Sequence, residues 1–328
     1  LCAEDAERDF MPQSGTLGLW RPPPRLRVEH ALHSGAEITP HYDSMIAKIV
    51  SHGTTRDEAR RKLIAGLTDT VALGVRTNQA FLMRCLAHPL FAAGGATTAF
   101  IAQHADALLR RDGANDQRAL ALAAALLLET SPGARHDAGR ALSSPALSIA
   151  SRFEVDGKSH AATLTRLDGH RHEVMLGGNR HDIDVVELAA QHVRFVCDGV
   201  MERAAWHRDG DRLWLGHQGV VLEVVDITRD AALRHAGPAG DGQLRASMNG
   251  RVVAVQVSVG QQVSAGQPVI TLEAMKMEHV HAAPLAGTVK ALHVSPGDQV
   301  AARRVVAEID AAPPADAPAA APAKEIIG

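Results

Sequence analysis

One lysine stands between two methionines in the stretch EAMKMEH (273–279), which places Ala274, Met275, Lys276 and Met277 in a row. A lysine amine on an exposed turn can be converted to an amide, which removes its charge and leaves a tethered group. The sequence around it is duplicated. NGRVVAVQVSVGQQVSAGQPVITLE (249–273) aligns with AGTVKALHVSPGDQVAARRVVAEID (286–310), so that Gly250 and Gly287, Gly260 and Gly297, Val263 and Val300, and Val269 and Val306 all stand 37 residues apart. Matched valines and turn glycines of this kind predict two β half-domains packed as a pseudo-twofold sandwich or flattened barrel. Symmetry then puts Lys276 on a tight, exposed turn between the halves.

Other chemistry is weakly signalled. Among 18 histidines, His170 and His172 alternate on one strand face, and so do His279 and His281. Neither pair has a Cys or carboxylate cluster beside it in sequence, so these read as solvated surface histidines and no metal site is expected. No GxSxG, Walker loop or GxGxxG is present. The aromatic fraction is 3% and the net charge −3, which argues against base-stacking platforms and gives no electrostatic attraction to nucleic acid or anionic membrane. Three scattered cysteines, Cys2, Cys85 and Cys197, form no CxxC pair and point to a reducing, cytoplasmic setting.

The 328 residues suffice for several domains. Residues 1–104 carry mixed α/β signals: RLRVEHAL and MIAKIVSH read as strands, Thr55 and Glu58 as a capping box, and a second helix is predicted between Thr77 and Pro89. Residues 105–145 hold a helical segment and a Pro/Gly/Ser linker. The apolar run ALALAAALLL (119–128) is too short to span a bilayer and reads as a buried helix. From 146 to 235, DG and GG pairs punctuate short alternating runs, the pattern of an antiparallel meander or small barrel. A linker (236–242), the duplicated unit (243–310) and an Ala/Pro-rich tail (311–328), expected to be disordered, complete the chain.

AMKM, central between two β halves, resembles the biotinyl carrier domain of biotin-dependent carboxylases over about 245–310. The resemblance implies that Lys276 carries biotin as a covalent cofactor and that a biotin protein ligase reads Ala274, Met275 and Met277. A lipoyl domain shares the architecture but has a DK-type hairpin without paired methionines. One departure is SMNG, with Ser247 where that family shows proline; this is expected to loosen the approach to the first strand slightly. LCAED, FMPQSG, HYDSMIAKIVSHG, TRDEAR, GVRTN and GGATTAFI resemble the carboxy-terminal lobe of biotin carboxylase over 1–104. There Arg27 and Asp43 match positions at a dimer edge, with ordinary surface ion-pair roles equally open.

The fold implied is multidomain: an α/β carboxylase lobe, a helix plus small antiparallel β-barrel, and an all-β carrier. The order resembles the biotin-bearing alpha subunit of an acyl-CoA carboxylase of the 3-methylcrotonyl-, geranyl- or propionyl-CoA type. That implies a ligase whose biotin is charged with ATP, Mg and bicarbonate and serves an acyl-CoA on a carboxyltransferase beta subunit docked by the barrel, with self-association through the lobe. The ATP-grasp elements are not in this sequence, nor is the arginine that precedes the LxAED segment. The chain is therefore expected to be a fragment, inactive alone in the ATP-dependent step. A non-catalytic biotinyl or lipoyl carrier or scaffold is the alternative.

Overall fold

The computed structural model describes residues 1–110, 113–131, 148–229, 242–274 and 277–311. The expected linkers at 131–145 and 236–242 lie almost wholly outside these residues, as do the tail from 312 onward, Met275, Lys276 and the side chain of Met277. The chain divides into two compact units, Leu1–Leu233 and Arg234–Gly328.

In the first unit, residues 1–110 combine short antiparallel pairs with helices. β1 (Glu4–Asp5) pairs with β2 (Met11–Pro12), and β3 (Gly15–Thr16) with β6 (Glu37–Ile38). β4 (Leu19–Arg21) pairs with β8 (Val71–Leu73), and β5 (Arg27–His30) with β7 (Ala47–Val50). Helix α1 (Arg56–Asp69) starts where the Thr55 hydroxyl accepts the Glu58 N–H at 3.1 Å. The Glu58 carboxylate returns to the N–H and hydroxyl of Thr54, one residue short of the reciprocal capping box the sequence suggests. Helix α2 (Gln79–Ala87) stops at His88, which is extended because Pro89 follows and opens α3 (Pro89–Ala92); α4 spans Phe100–Leu109.

Eight strands then form a closed antiparallel barrel in sequence order: β9 (Ser148–Val155), β10 (Lys158–Asp168), β11 (Arg171–Leu176), β12 (Asn179–Leu188), β13 (His192–Cys197), β14 (Val200–Asp209), β15 (Arg212–His217) and β16 (Val220–Asp226). Asp156–Gly157 and Asp198–Gly199 adopt positive φ at both positions, as two-residue hairpin turns require. The barrel interior is occupied by helix α5 (Gly113–Glu129). Residues 119–127 are buried on every side, in one hydrophobic cluster with inward residues from all eight strands, among them Phe153, Leu164, Val174, Ile183, Phe195, Leu213 and Val224. A helix apolar all round has no solvent face to present, and small alanines let the strands close around it. The helix that sequence places in a segment before the barrel is thus the barrel's core.

Lobe and barrel also pack together. Leu19, Val71 and Leu73 of the lobe cluster with Ala205 and Trp214 on the barrel's outer side, and Arg76 pairs with Asp156. The segment before the barrel therefore does not separate it from the lobe. Among the described residues no helix is long and apolar enough to cross a membrane.

The second unit contains two four-stranded sheets. β17 (Gln243–Arg245), β24 (Val305–Ala311), β22 (Gly287–Leu292) and β19 (Gln262–Val263) form one; β21 (Met277–Ala282), β20 (Pro268–Ala274), β18 (Gly250–Val255) and β23 (Gln299–Val300) form the other. A shift of 37 residues carries β18, β19 and β20 onto β22, β23 and β24, so the short strand of each half completes the sheet of the other. The symmetry extends to single bonds: Gly260 N–H to Val289 O and Gly297 N–H to Val252 O are both 2.8 Å. Val252, Val257, Val263 and Val269 share one core with Val289, Val294, Val300 and Val306. Gly250 and Gly287 have matched reasons, since a Cβ would overlap the carbonyl oxygens of Glu273 and Asp310 respectively.

Candidate functional site

The candidate site lies at the β20–β21 hairpin. Its register runs from Ile270–His281 through Leu272–His279 and Glu273–Glu278 to Ala274–Met277, so two residues, Met275 and Lys276, separate the last paired positions. Ile270 and Leu272 are fully buried, which anchors β20 in the domain core. Ala274 is buried too, packed where Gly250 passes close to the strand, while Glu273 and Glu278 face solvent across from each other. Two like charges in direct register are mildly unfavourable, and Arg251 stands beside Glu273 on the adjoining strand β18. Of the predicted recognition residues, then, Ala274 contributes a packed backbone position, and Met275, Lys276 and the Met277 side chain fall outside the described residues.

Strand β18 and the segment before it run beside this hairpin. Arg251 pairs with Glu273, and Gly250 lies against Ala274. Ser247 is far from loosened. Its backbone N–H donates to His281 Nε2 at 3.0 Å and its hydroxyl lies 2.7 Å from the same nitrogen. Ala246 N–H bonds Arg304 O, and the Asn249 side chain accepts the Ala302 N–H at 2.7 Å. His281 is buried, not a surface histidine, and burial pushes its pKa down.

A second polar group was hidden from sequence reading. His172 is fully buried, and its Nε2 lies 2.8 Å from Glu129 at the end of α5; His170 and Arg166 reach the same carboxylate at 2.9 and 3.0 Å. Burial pushes the Glu129 carboxyl upward, but the bonds and charges of His172 and His170 outweigh it and hold the group at about 2. In the first half of α5, just before its apolar run, Arg118 pairs with Glu202, which also bonds His217 at 2.6 Å. The visible signal was a charged residue at each end of an apolar run, Arg118 before it and Glu129 after it.

His181, Cys197 and Asp198 meet where β12 and β13 adjoin, with His181 Nδ1 3.1 Å and Cys197 Sγ 3.5 Å from Asp198 Oδ2. Burial pushes the Cys197 thiol up to about 11, so it carries its proton at neutral pH and donates within a hydrogen-bonded chain. In the lobe, Arg27 is exposed and bonds Glu29 at 2.6 Å, whereas Asp43 accepts the Met45 N–H at 3.0 Å. Arg27 pairs with Val50 at the far end of β7, so the two predicted edge residues are not brought together.

Residues 1–103 match the family described as Biotin carboxylase C-terminal domain, and residues 242–309 the family described as Biotin-requiring enzyme. The chain thus combines a biotin carboxylase C-terminal domain with a biotin-lipoyl domain. Its relatives include the methylcrotonoyl-CoA carboxylase alpha subunit of Dictyostelium discoideum, 31% identical over 317 residues, covering 87% of this chain and 44% of the relative. The propionyl-CoA carboxylase alpha chain of Homo sapiens is 27% identical, covering 87% of this chain and 42% of that one. Biotin carboxylase 1 of Bacillus subtilis is 39% identical over 101 residues, 30% of this chain and 22% of its own length. By these matches the chain is a relative of biotin-containing acyl-CoA carboxylase alpha subunits, and it spans less than half the length of those that it matches.

Proposed function

We propose that this chain is the biotin-carrying part of an acyl-CoA carboxylase alpha subunit, with biotin attached to Lys276. The observation that carries the reading is the hairpin register: two symmetric β halves meet at a pair of strands anchored by Ile270, Leu272 and Ala274 and interrupted only by Met275 and Lys276. A long lysine side chain next to such a stiff arm suits covalent attachment, and the attached group supplies a nitrogen that accepts and gives up a carboxyl. Ala274 fixes the approach to the lysine, and Met275 and Met277 are read by a biotin protein ligase.

The carboxyl comes from bicarbonate with ATP and Mg at a biotin carboxylase site, and it passes to an acyl-CoA on a carboxyltransferase beta subunit. The barrel, packed against the lobe through Leu73 and Trp214, docks that subunit, and self-association runs through the lobe, with Arg27 and Asp43 as separate candidate contacts on it. Free cysteines throughout the chain fit a cytoplasmic location. Carriage of the biotinyl domain on the same chain raises the effective concentration of biotin at both sites. Intact-mass measurement and avidin blotting of the chain co-expressed with a biotin protein ligase should show one biotin, lost in Lys276→Arg. Label that persists in Lys276→Arg would refute the assignment.

A further inference from the structure

His281 and Ser247 occupy positions whose counterparts in the other half are chemically different. The 37-residue symmetry relates Ser247 to Pro284 and His281 to Leu244. Where the far half sets a proline, which has no N–H, beside an apolar leucine, the hairpin half sets a backbone donor beside an imidazole. Ser247 N–H can only donate, so His281 Nε2 must accept. The other ring nitrogen, 3.3 Å from His279 O, then carries the proton. The backbone bond exists for the neutral ring alone: a proton on Nε2 would be set against the Ser247 N–H and would leave the Ser247 hydroxyl, 2.7 Å away, as its one acceptor on that residue. The bond therefore joins a titratable side chain of β21 to the segment that flanks the hairpin through Gly250 and Ala274.

We propose that neutral His281 is a positioning residue for modification at Lys276: it holds the 246–249 segment against the β20–β21 hairpin, and protonation of the ring releases that segment. The inference rests on the reading of Lys276 given above. The ionisable groups around the ring do little to favour its charged form. Glu278 and His279 lie on its own strand, Glu273 on β20 pairs with Glu278 rather than with His281, and Arg245, Arg303 and Arg304 on the adjoining segments are cationic. Burial presses most strongly toward neutrality; the bond to the His279 carbonyl opposes it in part, and the charge of the His279 side chain adds to it.

The test uses the full 328-residue chain with two readouts across about pH 5.5 to 7.5. One is hydrogen–deuterium exchange of the peptide spanning 244–253, corrected for intrinsic exchange; the other is kcat/KM for biotin transfer by a biotin protein ligase. Wild type should lose protection and kcat/KM together as pH falls below about 6.5, relative to His281→Gln, whose amide accepts without titrating. His281→Leu should lower kcat/KM about fivefold or more at every pH by orphaning the Ser247 donor. Adding Ser247→Pro should restore it and remove the pH dependence, reproducing the Pro284–Leu244 solution. Failure of that rescue, or superimposable wild-type and His281→Gln profiles, overturns the proposal. Should wild type accept no biotin at any pH, the reading of Lys276 fails, and the exchange readout still judges the His281 contact by itself.

Discussion

Replacing Glu129 with glutamine isolates the polar group that fixes the C-terminal end of helix α5 inside the barrel. The carboxylate is almost fully buried and bonds Arg166, His170 and His172, the last also fully buried. Its pKa of about 2, against an ordinary 4.5, corresponds to about 3 kcal/mol of preference for the charged form. Removing one partner from a buried pair costs about 3–5 kcal/mol by general experience, so Glu129→Gln should cost on the order of 3 kcal/mol at pH 7. The sign with pH follows from the depressed value. The contribution is complete above about pH 4.5 and is lost as pH falls toward 2. The gap between wild type and variant should therefore shrink to about half or less by pH 3. Urea unfolding followed by tryptophan fluorescence reads this directly, because Trp206 and Trp214 both lie in the barrel. A difference below about 1 kcal/mol at pH 7, or one that does not change between pH 7 and 3, would refute the assignment of Glu129 as a buried ionic anchor.

Further predictions concern the carrier. Val252→Ala and Val289→Ala, equally buried and related by the internal symmetry, should each cost about 1–3 kcal/mol, and thermal melts of a 243–311 fragment should show similar losses for the two. Gly287→Ala should destabilise the same fragment markedly by driving a methyl into the Asp310 carbonyl, whereas Gly260→Ala, where the added carbon meets nothing but φ is +87°, should cost only about 1 kcal/mol by chemical denaturation. Met277→Ala should leave the melt nearly unchanged and slow biotin transfer; a collapsed fold with normal transfer by the folded fraction would make that methionine a core residue instead.

The carrier was the most legible part of the sequence because its information is local and repeated: matched valines and glycines fix both the strands and their faces. Turn pairs such as Asp156–Gly157 and Asp198–Gly199 likewise announced the barrel through backbone conformations that few other residues adopt. What encloses the helix at 119–128 was not legible, since an all-apolar run states that it is buried without naming its surroundings. The histidines were misjudged for a related reason. Alternation shows that His170 and His172 share a strand face, but the carboxylate that makes His172 a buried partner lies 43 residues earlier, on another element. Ser247 in place of proline looked like a loss because its acceptor, His281, is 34 residues away. Contact between lobe and barrel through Leu73 and Trp214 is longer in range still.

A helix enclosed by strands that follow it in sequence constrains the order of synthesis. The ribosome delivers α5 first and the closing strand β16 roughly a hundred residues later, which at about 5–20 residues per second is some 5–20 seconds. Until then a segment made of alanine and leucine cannot be enclosed on all its faces, and the seam that finally shuts the barrel is short: Val225 and Asp226 face Glu154 and Phe153, and Ile227 and Thr228 bond Arg152. The nascent chain is thus at its most adhesive just before it becomes most enclosed. Yield in cells should accordingly depend on holding chaperones and on translation speed through residues 130–226 more than on the equilibrium stability of the finished protein.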